Sequence, residues 1–127
     1  MEIVKTAKDI ASGSLFFIDG LASVKDAISL MKEKSVDFLF IKKRNDHDAN
    51  GIIVISDIIK GVVVKDLKAE EVSVYEIMTK PVISIPSSMN SKYVSRLLLN
   101  SKINVAPVEE NGAYIGVIHL RDLAMNY

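Results

Sequence analysis

Gly51-Ile52-Ile53-Val54-Ile55-Ser56-Asp57-Ile58 is answered 65 positions later by Gly116-Val117-Ile118-His119-Leu120-Arg121-Asp122-Leu123. Each stretch runs from a glycine through apolar strand formers to an aspartate that opens a helical pattern. The correspondence continues outward in both directions. Ile41 matches Val108, Leu30 and Met31 match Leu97 and Leu98, and Ile10, Phe16 and Ile18 match Ile77, Ile83 and Ile85, now at an offset of 67. The two extra residues of the first copy fall in the polar stretch Lys42–Asn50. One pattern is therefore written twice, over residues 10–59 and 77–124. A doubled pattern in so short a chain predicts two half-domains about a pseudo-two-fold axis, with paired clefts suited to ligands.

Each copy reads strand, helix, strand, strand, helix. In copy one the spacing predicts a strand over Leu15–Ile18 and a helix opened by Ser23, with Asp26 completing a capping box and Val24, Ala27, Ile28 and Met31 on one face. Strands follow over Phe38–Ile41 and Ile52–Ile55, separated by the loop 42–50 and an Asn50-Gly51 turn signal. Ser56 or Asp57 caps a last helix with Ile58, Ile59, Val62 and Val63 as its apolar positions. Gly61 weakens that helix by about 1 kcal/mol relative to Ala. In copy two Pro86 ends a strand over Val82–Ile85, and Asn90 caps a helix bearing Val94, Leu97 and Leu98. Val105–Val108 is a strand whose Pro107 suits an edge or an end. Asn111-Gly112 turns into Tyr114–Ile118, and Asp122 opens the last helix. The fold class is α/β (α+β), a tandem βαββα arrangement. The chain reads as a single domain, residues 1–127, with motif one at 1–64 and the linker and motif two at 65–127.

Composition narrows the function classes. The 127 residues are 49% hydrophobic, enough for a core. Formal net charge is zero, so no basic field calls for nucleic acid. No cysteine is present, which removes disulfide and thiolate chemistry and fits a reducing cytosol. The stretch MEIVKTAKDI has neither signal-peptide nor transit-peptide form, and no apolar run approaches the roughly 18 residues of a membrane span. The expectation is a soluble cytoplasmic protein without membrane or nucleic-acid partners.

The arrangement, with a few words of sequence, resembles the CBS domain pair, or Bateman module. The words are Ile77-Met78-Thr79-Lys80-Pro81-Val82, then Val105-Ala106-Pro107-Val108, then Gly116–Leu123. Copy one keeps the shape with fewer letters, in Asp9-Ile10, Phe38–Ile41 and Gly51–Ile58. The resemblance covers nearly the whole chain and is stronger in copy two. It implies paired sheets with two symmetric clefts between the motifs, and association of two modules into a flat disc. It also implies sensing of adenosine compounds such as AMP, ADP, ATP or S-adenosylmethionine, and a regulatory rather than enzymatic role.

The resemblance carries over a set of ligand-binding candidates. Asp57 and Asp122 stand where the family's aspartate accepts bonds from the ribose hydroxyls, a task that suits the two oxygens of a carboxylate. The alternative is a cap in a helix's first turn. Three residues earlier the family places a phosphate-holding hydroxyl. Here Val54 and His119 replace it, and only His119 can donate, more strongly when protonated. Arg121 suits phosphate, with Lys80 and Lys102 as weaker candidates. Thr79, Pro81 and Val82 stand where the family lines its adenine slot, opposite Ser12, Ser14 and Leu15 of copy one. Ile77, Val82 and Val105, with Ile10, Leu15 and Phe38, are candidate adenine walls or ordinary core. On this reading the cleft served by Asp122 is the better furnished one.

Two other clusters read as solvated loop. Asp46-His47-Asp48 lacks a second cluster to complete a metal shell. Lys42-Lys43-Arg44 is too short for nucleic acid without an aromatic platform. No nucleophile with a matching base is visible, so the chain is not read as an enzyme and no cofactor is required. The expected function is a stand-alone regulatory pair that binds an adenosine nucleotide or related compound. It would signal through a homodimer or to an effector protein, over a surface such as Val62, Val63, Leu123 and Met125. The alternative is a structural dimerisation module without ligand.

Overall fold

Phe38-Leu39-Phe40-Ile41 has no polar face, so as a strand it must be covered on both sides. It forms β2 (Phe38–Ile41), and all four residues are buried. The computed structural model describes residues 4–127, so Met1–Ile3 of the N-terminal stretch lie outside the described residues. Strand β1 (Phe17–Ile18) pairs parallel to β2, and β3 (Gly51–Val54) pairs antiparallel to it, with Phe40 opposite Phe17 and Ile52. The second sheet repeats this order. β4 (Ile85–Pro86) runs parallel to β5 (Val105–Glu110), which pairs antiparallel to β6 (Ala113–His119). Two three-stranded sheets with covering helices establish the α/β class.

The long helices form where the caps predict. Helix α2 (Val24–Lys34) starts at Ser23, whose hydroxyl accepts from the Asp26 N–H at 3.1 Å. Helix α5 (Ser91–Ser101) starts at Asn90, which accepts from the Lys92 N–H at 2.9 Å. Both end on a left-handed residue, Ser35 and Lys102. Asn111 and Gly112 take positive φ, the conformation a tight hairpin needs between Glu110 and Ala113.

Several boundaries differ from the sequence reading. Strand β1 is only Phe17–Ile18, although the Phe16 carbonyl still accepts from the Phe40 N–H at 2.9 Å. Pro107 stands at the position equivalent to Phe40 and has no N–H to give. The matching bond to Ile83 is therefore missing, and pairing starts only at Ile85 opposite Val108. Pro107 is thus buried within a central strand rather than at an edge or end. Pro86 is the last residue of β4, paired opposite Glu109, rather than the first residue beyond the strand, which an edge strand tolerates. Asn50-Gly51 makes no tight turn. The Asn50 side chain instead accepts from the Lys43 N–H and braces a wide loop. The last helix of copy one begins as α3 (Ile55–Ile58), capped at Val54 rather than at Ser56 or Asp57, and widens into a π-helical turn over Ile59–Val63. A short 3₁₀ turn, Ala69–Glu71, lies in the linker.

The chain condenses into two units that cut across the repeats. The middle unit is Phe16–Val82; the terminal unit joins the segment up to Leu15 to Ile83–Tyr127. Helix α1 (Ala7–Ile10) therefore belongs with the strands of copy two, and α4 (Val74–Ile77) with those of copy one. The backbone shows why. The Ala7 N–H donates to the Met89 carbonyl and the Val74 N–H to the Ala22 carbonyl, each at 2.8 Å. Each unit has its own core, around Val24, Leu39, Ile53 and Val74 in one and Ala7, Ile85, Leu98 and Ile118 in the other.

Candidate functional site

Asp57 is the third residue of α3. Its Oδ2 accepts from the Val54 N–H at 2.9 Å, and its Oδ1 from the Thr79 hydroxyl at 3.3 Å. Thr79 reaches it because the opening segment of copy two lies along β3, where Thr79 and Ile52 exchange both backbone bonds at 2.8 and 2.9 Å. Gly51 permits that approach. A Cβ there would meet the Met78 sulfur at 2.9 Å and the Thr79 carbonyl at 3.3 Å.

Asp122 holds the same place in α6 (Leu120–Met125), which begins after His119. The companion segment here is Ser12, which exchanges two 2.8 Å backbone bonds with Val117. A Cβ on Gly116 would overlap the Ser12 carbonyl oxygen. The two units thus use the same device, a glycine that admits an extended segment beside the aspartate's strand. The carboxylates differ. Among the described residues no donor reaches the Asp122 carboxylate; Asn126 bonds only its main-chain carbonyl.

The other candidates divide between the units. Thr79, Pro81, Val82, Ile77 and Phe38 fall with Asp57, while His119, Arg121, Val105, Ile10 and Leu15 fall with Asp122. This corrects the grouping by repeat, which furnished Asp122 with Thr79 and Pro81. Thr79 is bonded to Asp57, and Ser12 takes the matching place beside the strand that leads to Asp122. Phe38 is 1% exposed and packs edge-on to Phe40. Ile10 and Val105 are likewise buried. Ile77 packs against Gly61. Thr79, Pro81 and Arg121 are exposed, and Leu15, Val82 and His119 half-buried.

One cluster set aside in the sequence gains a partner. Asp48 is paired with Lys80 of copy two's opening segment and accepts from the Arg44 N–H at 3.0 Å. The Lys80 ammonium and then the Arg44 N–H hold its carboxyl well below the usual carboxylate range. Beside this pair, within the middle unit, lies a cavity of about 920 Å³. Phe17, Leu21, Ile41, Tyr75 and Met78 supply its apolar wall, and Lys42, Lys43, Arg44 and Lys80 its cations. Asp57 and Thr79 do not line it. The available signal was the comparison of copies, since Lys42-Lys43 aligns with Glu109-Glu110.

The family model of the CBS domain matches residues 7–64 and 74–127. A hexameric CBS-CP12 protein from bloom-forming cyanobacteria is similar over 97% of this chain and 68% of its own, with 32% identity and a TM-score of 0.90. An uncharacterized conserved protein from Pyrococcus horikoshii is similar over 99% of this chain and 94% of its own, with 28% identity and a TM-score of 0.85. An uncharacterized protein of Methanocaldococcus jannaschii is 28% identical over 84% of this chain and 58% of its own length. The chain spans about half the length of the curated relatives it matches. No helix among the described residues is long and apolar enough to cross a membrane.

Proposed function

The chain belongs to the CBS domain family, and from that premise we propose that it is a regulatory module that binds an adenosine derivative through Asp122. The observation that carries this is the contrast between the two aspartates. Asp57 already serves Val54 and Thr79, whereas Asp122 has no donor among the described residues. A half-buried carboxylate in the first turn of a helix can accept a forked contact from a ribose diol. His119 is the N-cap residue at the head of α6, and an imidazole is a side chain that can donate to phosphate. Binding that favours one conformation or association state over another would transmit the signal, and only differential affinity can do so. The role is binding rather than catalysis, with AMP, ADP, ATP and S-adenosylmethionine as the candidate ligands.

Calorimetric titration with those four compounds tests the reading. Asp122→Ala should weaken the bound compound by about tenfold or more, since each charge-assisted bond contributes roughly 1.5–3 kcal/mol. Asp57→Ala should weaken it less. Absence of heat with every compound at millimolar concentration would reject the proposal.

A second reading, a ligand-free interaction module, is favoured by one observation. Ile55, Ile59 and Val63 stand exposed at 47%, 43% and 55%. Under this reading the protein associates with itself whether or not nucleotide is present.

A further inference from the structure

We propose that the cavity beside the Lys42–Asn50 loop binds an aryl or heteroaryl phosphate, the loop lysines holding the phosphate and the Phe17–Tyr75 wall holding the ring. This inference is independent of the adenosine reading, because neither aspartate lines the cavity.

Size comes first. A volume of about 920 Å³ falls within the roughly 300–1,000 Å³ range of small-molecule pockets. The lining sets four cations, Lys42, Lys43, Arg44 and Lys80, against two carboxylates, Asp19 and Asp48, and an apolar wall. Tyr75 and Leu21 expose apolar surface at its wall, at 54% and 76%. Three of the cations, Lys42, Lys43 and Arg44, arrive together from the loop that follows β2, and Lys80 joins them from the segment before β4. Asp48 serves Arg44 and Lys80, which leaves Lys42 and Lys43 without a carboxylate partner among the described residues. The Lys42 ammonium lies 5.2 Å from the centre of the Phe17 ring, at the junction of the two kinds of wall. A phosphate monoester carries about two negative charges near neutral pH, which matches two unpaired lysines.

The loop that carries the cations is built. Its side chains turn inward on its own backbone: Asn50 accepts from the Lys43 N–H, Asp48 from the Arg44 N–H and Asn45 from the His47 N–H, all within 3.0 Å. Lys80 fastens it to the opening segment of copy two through Asp48. The site is also particular to one repeat. Glu109 and Glu110 replace Lys42 and Lys43 in copy two, where Glu109 accepts from the Ser84 hydroxyl and Glu110 pairs with Lys8 at 3.2 Å. The inserted residues and the reversed charges fall in the same loop.

The probe is 1-naphthyl phosphate, which has an aromatic ring and a phosphate but no ribose diol to engage Asp122 or Asp57. Its fluorescence anisotropy is followed as the intact chain is titrated in. Binding should be displaced less well by inorganic phosphate or by naphthol than by unlabelled aryl phosphate. The double variant K42E/K43E, which installs the residues of copy two, should weaken it by about tenfold or more. Lys43→Glu alone, at an exposed position, should weaken it with unchanged circular dichroism. Tyr75→Ala should narrow the gap between naphthyl phosphate and inorganic phosphate, and Asp122→Ala should leave binding intact. Retained affinity in K42E/K43E overturns the proposal. So does equal competition by inorganic phosphate, which would mean adventitious anion binding. Loss of binding in Asp122→Ala would move the probe to the other site and equally overturn it.

Discussion

Asp57 and Asp122 hold equivalent positions and meet different neighbours. One carboxylate closes its own helix and takes a threonine hydroxyl; the other meets no donor among the described residues. The residue type and position were legible in sequence; the competing donors were not, because Thr79 lies 22 residues beyond Asp57. Asp48 shows the same limit. Its sequence neighbours suggested a solvated loop, while Lys80, far along the chain, fixes its charge. Because its folded pKa is depressed, its contribution to stability is complete above the unfolded carboxylate pKa of about 3.9 and is lost as pH falls toward the folded value. Urea midpoints of the wild type and Asp48→Asn should therefore differ most near neutral pH and converge as the solution is acidified below pH ~4. A constant gap across that window would show that Asp48 does not titrate with folding.

Among the elements, the last helix of copy one departs furthest from its local pattern. Propensity reads Gly61 as a weak helix residue that Ala would improve. In the structure it sits in the π-helical turn, where the Val64 N–H reaches back to the Ile59 carbonyl at 2.9 Å. A Cβ on Gly61 would come within 2.5 Å of Ile77 Cγ2. The expected effect of Gly61→Ala is thus the reverse of the propensity argument, a destabilisation of about 1–3 kcal/mol from overpacking. Chemical denaturation decides between them, and a stabilised variant would show that Ile77 yields without strain. Pro107 makes a related point. Its missing donor was visible in sequence, but its place in a central strand was not. What tolerates it is the late start of β4 at Ile85, a property of the neighbouring strand. Caps at Ser23 and Asn90, by contrast, were readable because donor and acceptor lie within three residues of each other.

At the scale of the whole molecule, Ile55, Ile59 and Val63 are exposed apolar residues, and of these only Val63 belongs to the association surface expected from the sequence. Val62 and Leu123, which the sequence offered for that purpose, are buried, while Val63 and Met125 are exposed. If Ile55, Ile59 and Val63 mediate self-association, Ile59→Glu should raise the dimer dissociation constant by about tenfold or more while leaving the monomer folded, as loss of a central apolar contact does. Sedimentation equilibrium of the two proteins measures it, and an unchanged constant excludes these residues as the interface. The sequence by itself did not reveal the leading helices α1 and α4, but it determined the duplication, the order of strands and helices from the first strand of each copy onward, the Asn111-Gly112 turn and the two aspartates. All of these depend on residues a few positions apart, or on simple recurrence. Only the tertiary structure decided that each repeat's leading helix joins the other repeat's strands, that Thr79 serves Asp57 while Ser12 lies beside the strand of Asp122, and that Lys80 closes the Lys42–Asn50 loop. Those choices are made by backbone donors finding distant carbonyls, and by Gly51, Gly61 and Gly116 leaving room for the approach. A local pattern carries no record of which distant segment will fill that room.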